Sequence, residues 1–86
     1  SRVLLRAVRE MLCERGWRII NVDSTINAQR PKMAPHIPAM VSCIASDLGV
    51  SPDYVNVKAK TGERLGFVGR EEGISADAVA LIERKP

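Results

Sequence analysis

Two short stretches carry the residues best suited to chemistry. Ala28-Gln29-Arg30-Pro31-Lys32-Met33-Ala34 and Lys60-Thr61-Gly62-Glu63 each follow a strand-like run, and each sets cations beside backbone or hydroxyl donors. A phosphate or the edge of a base is the natural ligand for such loops, because cations neutralise charge while N–H and O–H groups supply direction. The first stretch runs into a helix. The N-terminal turn of that helix is expected to present unpaired N–H groups beside Lys32, where the helix dipole also favours an anion. Taken by themselves, these loops read more simply as solvated basic segments.

Other chemistry-bearing residues are more isolated. His36 is the single histidine and falls in the first turn of a helix, a capping or surface position more often than a ligand. Asp23 has no histidine near it and makes a poor metal site, so structural hydrogen bonding is the expectation. Cys13 and Cys43 sit inside apolar helical patterns with neither a CxxC pair nor ligand spacing, which predicts two free, buried thiols in a reducing compartment.

The elements that position these loops follow from hydrophobic periodicity. From Ser1 to Arg15, Leu4, Val8, Met11 and Leu12 recur at helical spacing, with Ser1 as a possible N-cap and Gly16 just past the end. From Trp17 to Ala28 the period changes to two, placing Ile20, Val22, Ile26 and Ala28 on one side and Asn21, Asp23, Thr25 and Asn27 on the other. Such a polar strand face suits a subunit interface, a site or plain solvent. A second helix is predicted from about Pro35, with Ile37, Met40, Ile44 and Leu48 as its buried stripe and Gly49 as its stop. Ser51-Pro52-Asp53 reads as a turn. Val55, Val57 and Ala59 then alternate with Asn56, Lys58 and Lys60 as a second strand, and a glycine-punctuated loop runs from Thr61 to Gly73. The last strand, Ser75 to Glu83, is apolar on both sides and is expected centrally or against a neighbouring subunit.

This order predicts an α/β fold of the two-layer α+β kind, a small sheet with helices packed on one face. The 86 residues make a single domain, 1–86, with no repeats or linkers. A chain this short buries only about 60–65% of its unfolded surface, so partner chains are expected to contribute stability. The formal net charge of +3 comes from cations spread along the chain, which permits an anionic ligand without calling for nucleic acid. No apolar run reaches the ~18 to 20 residues of a membrane span, and a signal peptide is not evident. The opening at Ser1, directly into a helix, suggests a piece of a longer protein.

The residues themselves sharpen this picture. Asn21-Val22-Asp23-Ser24-Thr25-Ile26, then Ala28-Gln29-Arg30-Pro31-Lys32-Met33 and Pro35-His36-Ile37, resemble the 2-C-methyl-D-erythritol 2,4-cyclodiphosphate synthase family. Val55-Asn56-Val57-Lys58-Ala59-Lys60-Thr61, Glu63, Leu65-Gly66-Phe67, Gly69-Arg70 and Glu72-Gly73-Ile74 are similar to the same family in the same order. The likeness covers essentially the whole chain. It implies a lyase of the non-mevalonate isoprenoid pathway that cyclises 4-diphosphocytidyl-2-C-methyl-D-erythritol 2-phosphate and releases CMP.

By that resemblance, Ala28, Gln29, Arg30, Pro31, Lys32, Met33 and Ala34 form the cytosine pocket, largely through backbone groups, with Lys32 toward the ribose and α-phosphate. Thr61 aligns with the catalytic hydroxyl that orients the diphosphate, and Lys60, Gly62 and Glu63 flank it. Phe67 and Arg70 align with residues near the substrate or the central cavity of a homotrimer, which Arg70 and Glu72 would ring. Read from the residues, Phe67 could as well be core, and Arg70 with Glu72 an interface ion pair. The family also implies a divalent cation (zinc, magnesium or manganese) held by an upstream Asp-x-His pair and a further histidine. None of those ligands is in this sequence, so the chain is expected to supply the cytidine diphosphate half of the site, to hold no metal of its own and to be inactive alone. A bacterial cytoplasm is the expected compartment, with a plastid as second choice.

Two departures from the family pattern stand out. Gly62 occupies a position where Thr or Asn is usual, removing a donor beside Thr61, and Asn27 replaces a common aliphatic residue. Two rivals remain, a purely oligomerising relative and a small basic module that binds nucleotides or RNA. Trp17, Tyr54 and Phe67 are scattered and offer no stacking platform, which argues against RNA.

Overall fold

Period-two and period-four spacings make strands and helices here largely where the sequence places them. The computed structural model describes residues 1–86. It runs α1 (Arg2–Glu14), β1 (Trp17–Asn27), a 3-10 turn (Ala34–His36), α2 (Ile37–Leu48), a second 3-10 turn (Pro52–Tyr54), β2 (Val55–Lys60), α3 (Gly66–Gly69) and β3 (Ser75–Arg84). The strands form one three-stranded sheet in the order β2-β1-β3. β1 pairs with β2 in parallel and with β3 antiparallel. The result is a small α+β fold with helices over one face of the sheet.

Register explains the two faces. Val22, Ser24 and Ile26 lie beside Val55, Val57 and Ala59, whereas Asp23, Thr25 and Asn27 lie beside Asn56, Lys58 and Lys60. The first set faces the helices. Ala45, Val55 and Val57 form the buried centre, with Ile26, Ile37, Met40, Val41, Ile44 and Val50 packed around it. The stripe expected on α2 is therefore the one that packs. Gly49 ends the helix in the left-handed region at φ 68°, where a side chain would be strained.

Two expectations are corrected, and the facing of α1, which the sequence left open, is settled. α1 turns most of its apolar stripe outward: Leu4, Val8 and Met11 are exposed, and only Leu12 is half-buried. The helix docks through half-buried Leu5 and Leu12 and, more distinctively, through arginines. Arg2 donates to both Asp47 carboxylate oxygens at 2.9 and 3.0 Å, and Arg6 adds a third bond at 3.1 Å. Next, of the two places expected for β3 the central one is excluded, because β1 takes the middle and β3 lies at the edge, which leaves the place against a neighbouring subunit. Its Val79, Leu81 and Ile82 are exposed. Finally, the cysteines are free but not buried; Cys13 is exposed and Cys43 is half-buried.

Smaller features close the far end of the sheet. The β1–β3 register shifts between Ile19 and Asn21, a bulge that increases local twist. Arg18 pairs with Glu83, and the Arg84 guanidinium lies 4.9 Å from the centroid of the Trp17 ring. Only 8 of 86 residues are buried, so the core is thin for the number of apolar side chains available. No helix is long and apolar enough to cross a membrane.

Candidate functional site

The carboxyl ends of β1 and β2 lie side by side because the two strands are parallel, and the loops that leave them emerge together. Asn27 pairs with Lys60 in the last rung, and the next backbone amide, Ala28 N–H, donates to the Lys60 carbonyl at 2.9 Å. Ala28 is buried at this junction. Crevices outside the carboxyl ends of parallel strands are favoured ligand positions, since backbone groups there have no ladder partner.

A cavity of about 580 Å³ opens at this junction, lined by Ala28, Gln29, Arg30, Pro31, Lys32, Met33, Ala34, Ala59, Lys60 and Thr61. Its size lies in the range of small-molecule sites, roughly 300–1,000 Å³. The two loops singled out in the sequence thus share one cavity. Ala59 is the lining residue that sequence reasoning missed; as the last apolar residue before Lys60 it read only as strand. The Arg30-Pro31 peptide is cis.

Charge at the cavity is uneven. Arg30 is paired, with Nε 3.0 Å from a Glu71 carboxylate oxygen, whereas neither Lys32 nor Lys60 has a carboxylate partner. Two free ammonium groups on one cavity suit an anionic ligand. The Thr61 hydroxyl accepts from the Glu63 N–H at 3.3 Å, which leaves its own O–H free to donate.

The helix-entry turn is thinner in donors than expected. Pro35 and Pro38 have no N–H, while the His36 N–H donates to the Met33 carbonyl at 2.8 Å and the Ile37 N–H to that of Ala34. Anion attraction on this side therefore rests chiefly on Lys32. His36 is exposed and makes no side-chain cap.

Gly62, Glu63, Phe67 and Arg70 do not line the cavity; they belong to the adjoining loop, which folds over itself with α3 inside it. Glycines at 62, 66, 69 and 73 mask this single helical turn in the sequence, where the segment has the pattern of a loop. Gly62 and Gly69 pack backbone against backbone: a Cβ on Gly62 would stand 2.4 Å from the Gly69 nitrogen. Any side chain at position 62 would therefore displace this backbone contact. Phe67 is half-exposed over Gly73 rather than core. Arg70 Nε pairs with Glu72 at 2.6 Å inside the same loop.

On the polar sheet face, Asn56 Nδ2 and Lys58 Nζ each donate to Asp23, both at 3.1 Å. The Lys58 hydrogen bond, helped by Asn56, holds the Asp23 carboxyl below the usual carboxylate range. Asn27 Nδ2 donates to Ser75 Oγ at 3.2 Å, so this departure from the family pattern has a partner within the sheet. Nowhere do three or more His, Cys, Asp or Glu side chains converge as metal ligands would.

Comparison with known proteins places this geometry in context. A family model described as the YgbB family matches residues 1–83. The chain is 66% identical over 84 residues to the 2-C-methyl-D-erythritol 2,4-cyclodiphosphate synthase of Dechloromonas aromatica, covering 98% of this chain and 52% of that protein. It is 69% identical over 83 residues to the enzyme of the same name from Thioalkalivibrio sulfidiphilus, covering 96% and 52%. Among solved structures, the 2C-methyl-D-erythritol 2,4-cyclodiphosphate synthase of Plasmodium vivax matches with a TM-score of 0.96 at 40% identity, over 99% of this chain and 57% of that one. IspF of Plasmodium falciparum, in complex with CDP, matches with a TM-score of 0.93 at 29% identity, over 99% and 55%. The chain spans about half the length of the curated relatives it matches.

Proposed function

The chain belongs to the YgbB family, and from that premise we propose that it is the cytidine-binding part of a 2-C-methyl-D-erythritol 2,4-cyclodiphosphate synthase, a lyase of isoprenoid biosynthesis. The observation that carries this reading is the single cavity on which the Ala28–Ala34 loop meets Lys60 and Thr61. Relatives that share two thirds of its residues bear that enzyme's name.

In this reading the cavity takes the cytidine end of 4-diphosphocytidyl-2-C-methyl-D-erythritol 2-phosphate. The backbone of Ala28 to Ala34 meets the base, Lys32 the ribose and α-phosphate side, and Thr61 the diphosphate. The reaction is an intramolecular phosphoryl transfer: an oxygen of the substrate's 2-phosphate attacks the β-phosphorus, the bond to the bridging oxygen breaks, and CMP leaves with that oxygen. Such transfers need placement and charge neutralisation more than covalent help. The free Thr61 O–H and the unpaired Lys32 and Lys60 ammonium groups fit those two tasks. One well-aimed donor contributes about 3–4 kcal/mol in comparable sites.

The divalent cation implied by the resemblance has no home among these residues. His36 stands alone, and Asp23 is committed to Lys58 and Asn56. The chain alone is therefore proposed to be inactive. The proposal assigns the metal-holding residues to a segment outside this chain and the assembly to a homotrimer. The exposed apolar residues Val79, Leu81 and Ile82 of β3 support an assembled state, since apolar patches of this kind are usually covered.

Calorimetric titration tests the pocket. CMP and CDP should bind saturably, UMP and AMP should not, and the Lys32→Ala variant should weaken CMP binding by about tenfold, the worth of one charged hydrogen bond. A folded sample that ignores every cytidine nucleotide would sink the reading, as would tight oligonucleotide binding with a steep salt dependence.

A further inference from the structure

We propose that Arg30 and Glu71 form a clasp that holds the nucleotide cavity's outer loop against the neighbouring Thr61–Gly73 loop, so that the Arg30 side chain positions the pocket instead of touching its ligand. The proposal deepens the reading above and rests on it for its consequence in binding. The clasp itself stands on contacts within the chain. Three consecutive residues of the cavity loop are tied across, the first to the end of β2 and the next two to the other loop: Ala28 N–H to the Lys60 carbonyl at 2.9 Å, the Gln29 side-chain oxygen to the Arg64 N–H at 3.3 Å, and Arg30 Nε to Glu71 Oε1 at 3.0 Å. The first two register the loops near the sheet. Arg30–Glu71 is the outermost tie.

Backbone conformation points the same way. Glu71 has φ 62°, in the left-handed region that glycine enters freely and that a residue with a Cβ enters at a cost. Glu63 and Arg64 of the same loop share this conformation, but of the two glutamates only Glu71 reaches a cation, Arg30. The pairing also sorts the cations at the cavity. With Arg30 neutralised, the ligand's anionic end is directed to Lys32 and Lys60, which have no carboxylate partner.

Arg30 is 78% exposed and Glu71 47%, so the pair is screened by solvent and salt, and its effect is modest. A charge-swap cycle on the full chain without nucleotide is the direct test, read by hydrogen exchange at the Arg64 amide. Arg30→Glu, Glu71→Arg and the isosteric Glu71→Gln should each speed exchange by about two- to fivefold, and the double swap should return it to the wild-type rate. Single variants without effect, or a double swap that adds their effects, would overturn the clasp. Titration with CMP then separates the two ideas. Affinity should fall by a similar factor in the single variants and recover in the double swap. Wild-type binding that the single variants leave untouched would remove the positioning role while keeping the nucleotide site. Failure of the wild-type chain to bind CMP would remove the nucleotide site, while the exchange cycle still decides the clasp.

Discussion

The two long helices of this molecule each carry an apolar stripe, sharply set off from polar residues on α1 and part of a more apolar surface on α2, and the stripes meet opposite fates. α2 lays Ile37, Met40 and Ile44 on β1 and β2 and buries Leu48, so its apolar stripe forms half of the core. α1 shows Val3, Leu4, Val8 and Met11 to solvent and meets α2 through arginines. Its Arg2 and Arg6 converge on Asp47, whose side chain is only 3% exposed, and the Arg9 guanidinium lies over Gly49. One helix is held by a broad apolar stripe, the other by half-buried Leu5 and Leu12 together with a carboxylate that two cations surround. The contrast teaches that an amphipathic period establishes a helix and leaves open what covers its greasy side. An unpaired buried charge costs far more than an exposed leucine, so satisfying Asp47 takes precedence over hiding the α1 stripe.

The strongest way to break this comparison is to remove the apolar anchor of α2. Leu48→Ala should cost about 2–5 kcal/mol, read from urea unfolding, because the side chain is buried and a cavity remains. A loss below about 1 kcal/mol would place α2 in the same class as α1 and erase the contrast.

Acid should act on the other helix. The Arg2 hydrogen bond, with its charge and the help of Arg6, holds the Asp47 carboxyl below the usual carboxylate range. A group lowered by folding contributes stability that is full above its unfolded value and is lost as pH falls through its folded one. Unfolding measured from pH 6 downward should therefore show a loss of stability below the ordinary carboxylate range. Asp47→Asn should be less stable at neutral pH and lack that part of the acid limb. Equal pH profiles for the two proteins would mean that the arginines do not hold α1.

The smallest effect sharpens the contrast from the opposite side. Met11→Ser or Leu4→Ser on α1 should change unfolding stability by no more than about 0.5 kcal/mol, since neither residue is buried in this chain. A loss as large as that of Leu48→Ala would show that something covers this face in solution, and sedimentation would identify a second copy as the cover.

Much of the site was legible beforehand, for local reasons. The two loops were marked by cations, glycine and proline following alternating runs, and strand parallelism then brought them onto one cavity. Gly62 was legible only as a departure from a pattern. Its role became visible once Gly69 stood against it. Arg30 stands out in the sequence as a loop cation, but Glu71 falls between the motifs of its glycine-punctuated loop, so their pairing has no signature.

What residue order alone determined was local: where helices and strands run, that Gly49 stops α2, and which loops hold free donors and cations. Those properties depend on neighbours within one turn or one pleat. Tertiary structure decided which face of α1 looks outward, that β3 lies at the edge, and which cation Glu71 neutralises. Each of these is settled by partners far apart in the chain, where competing contacts and desolvation set the outcome and no local period records it.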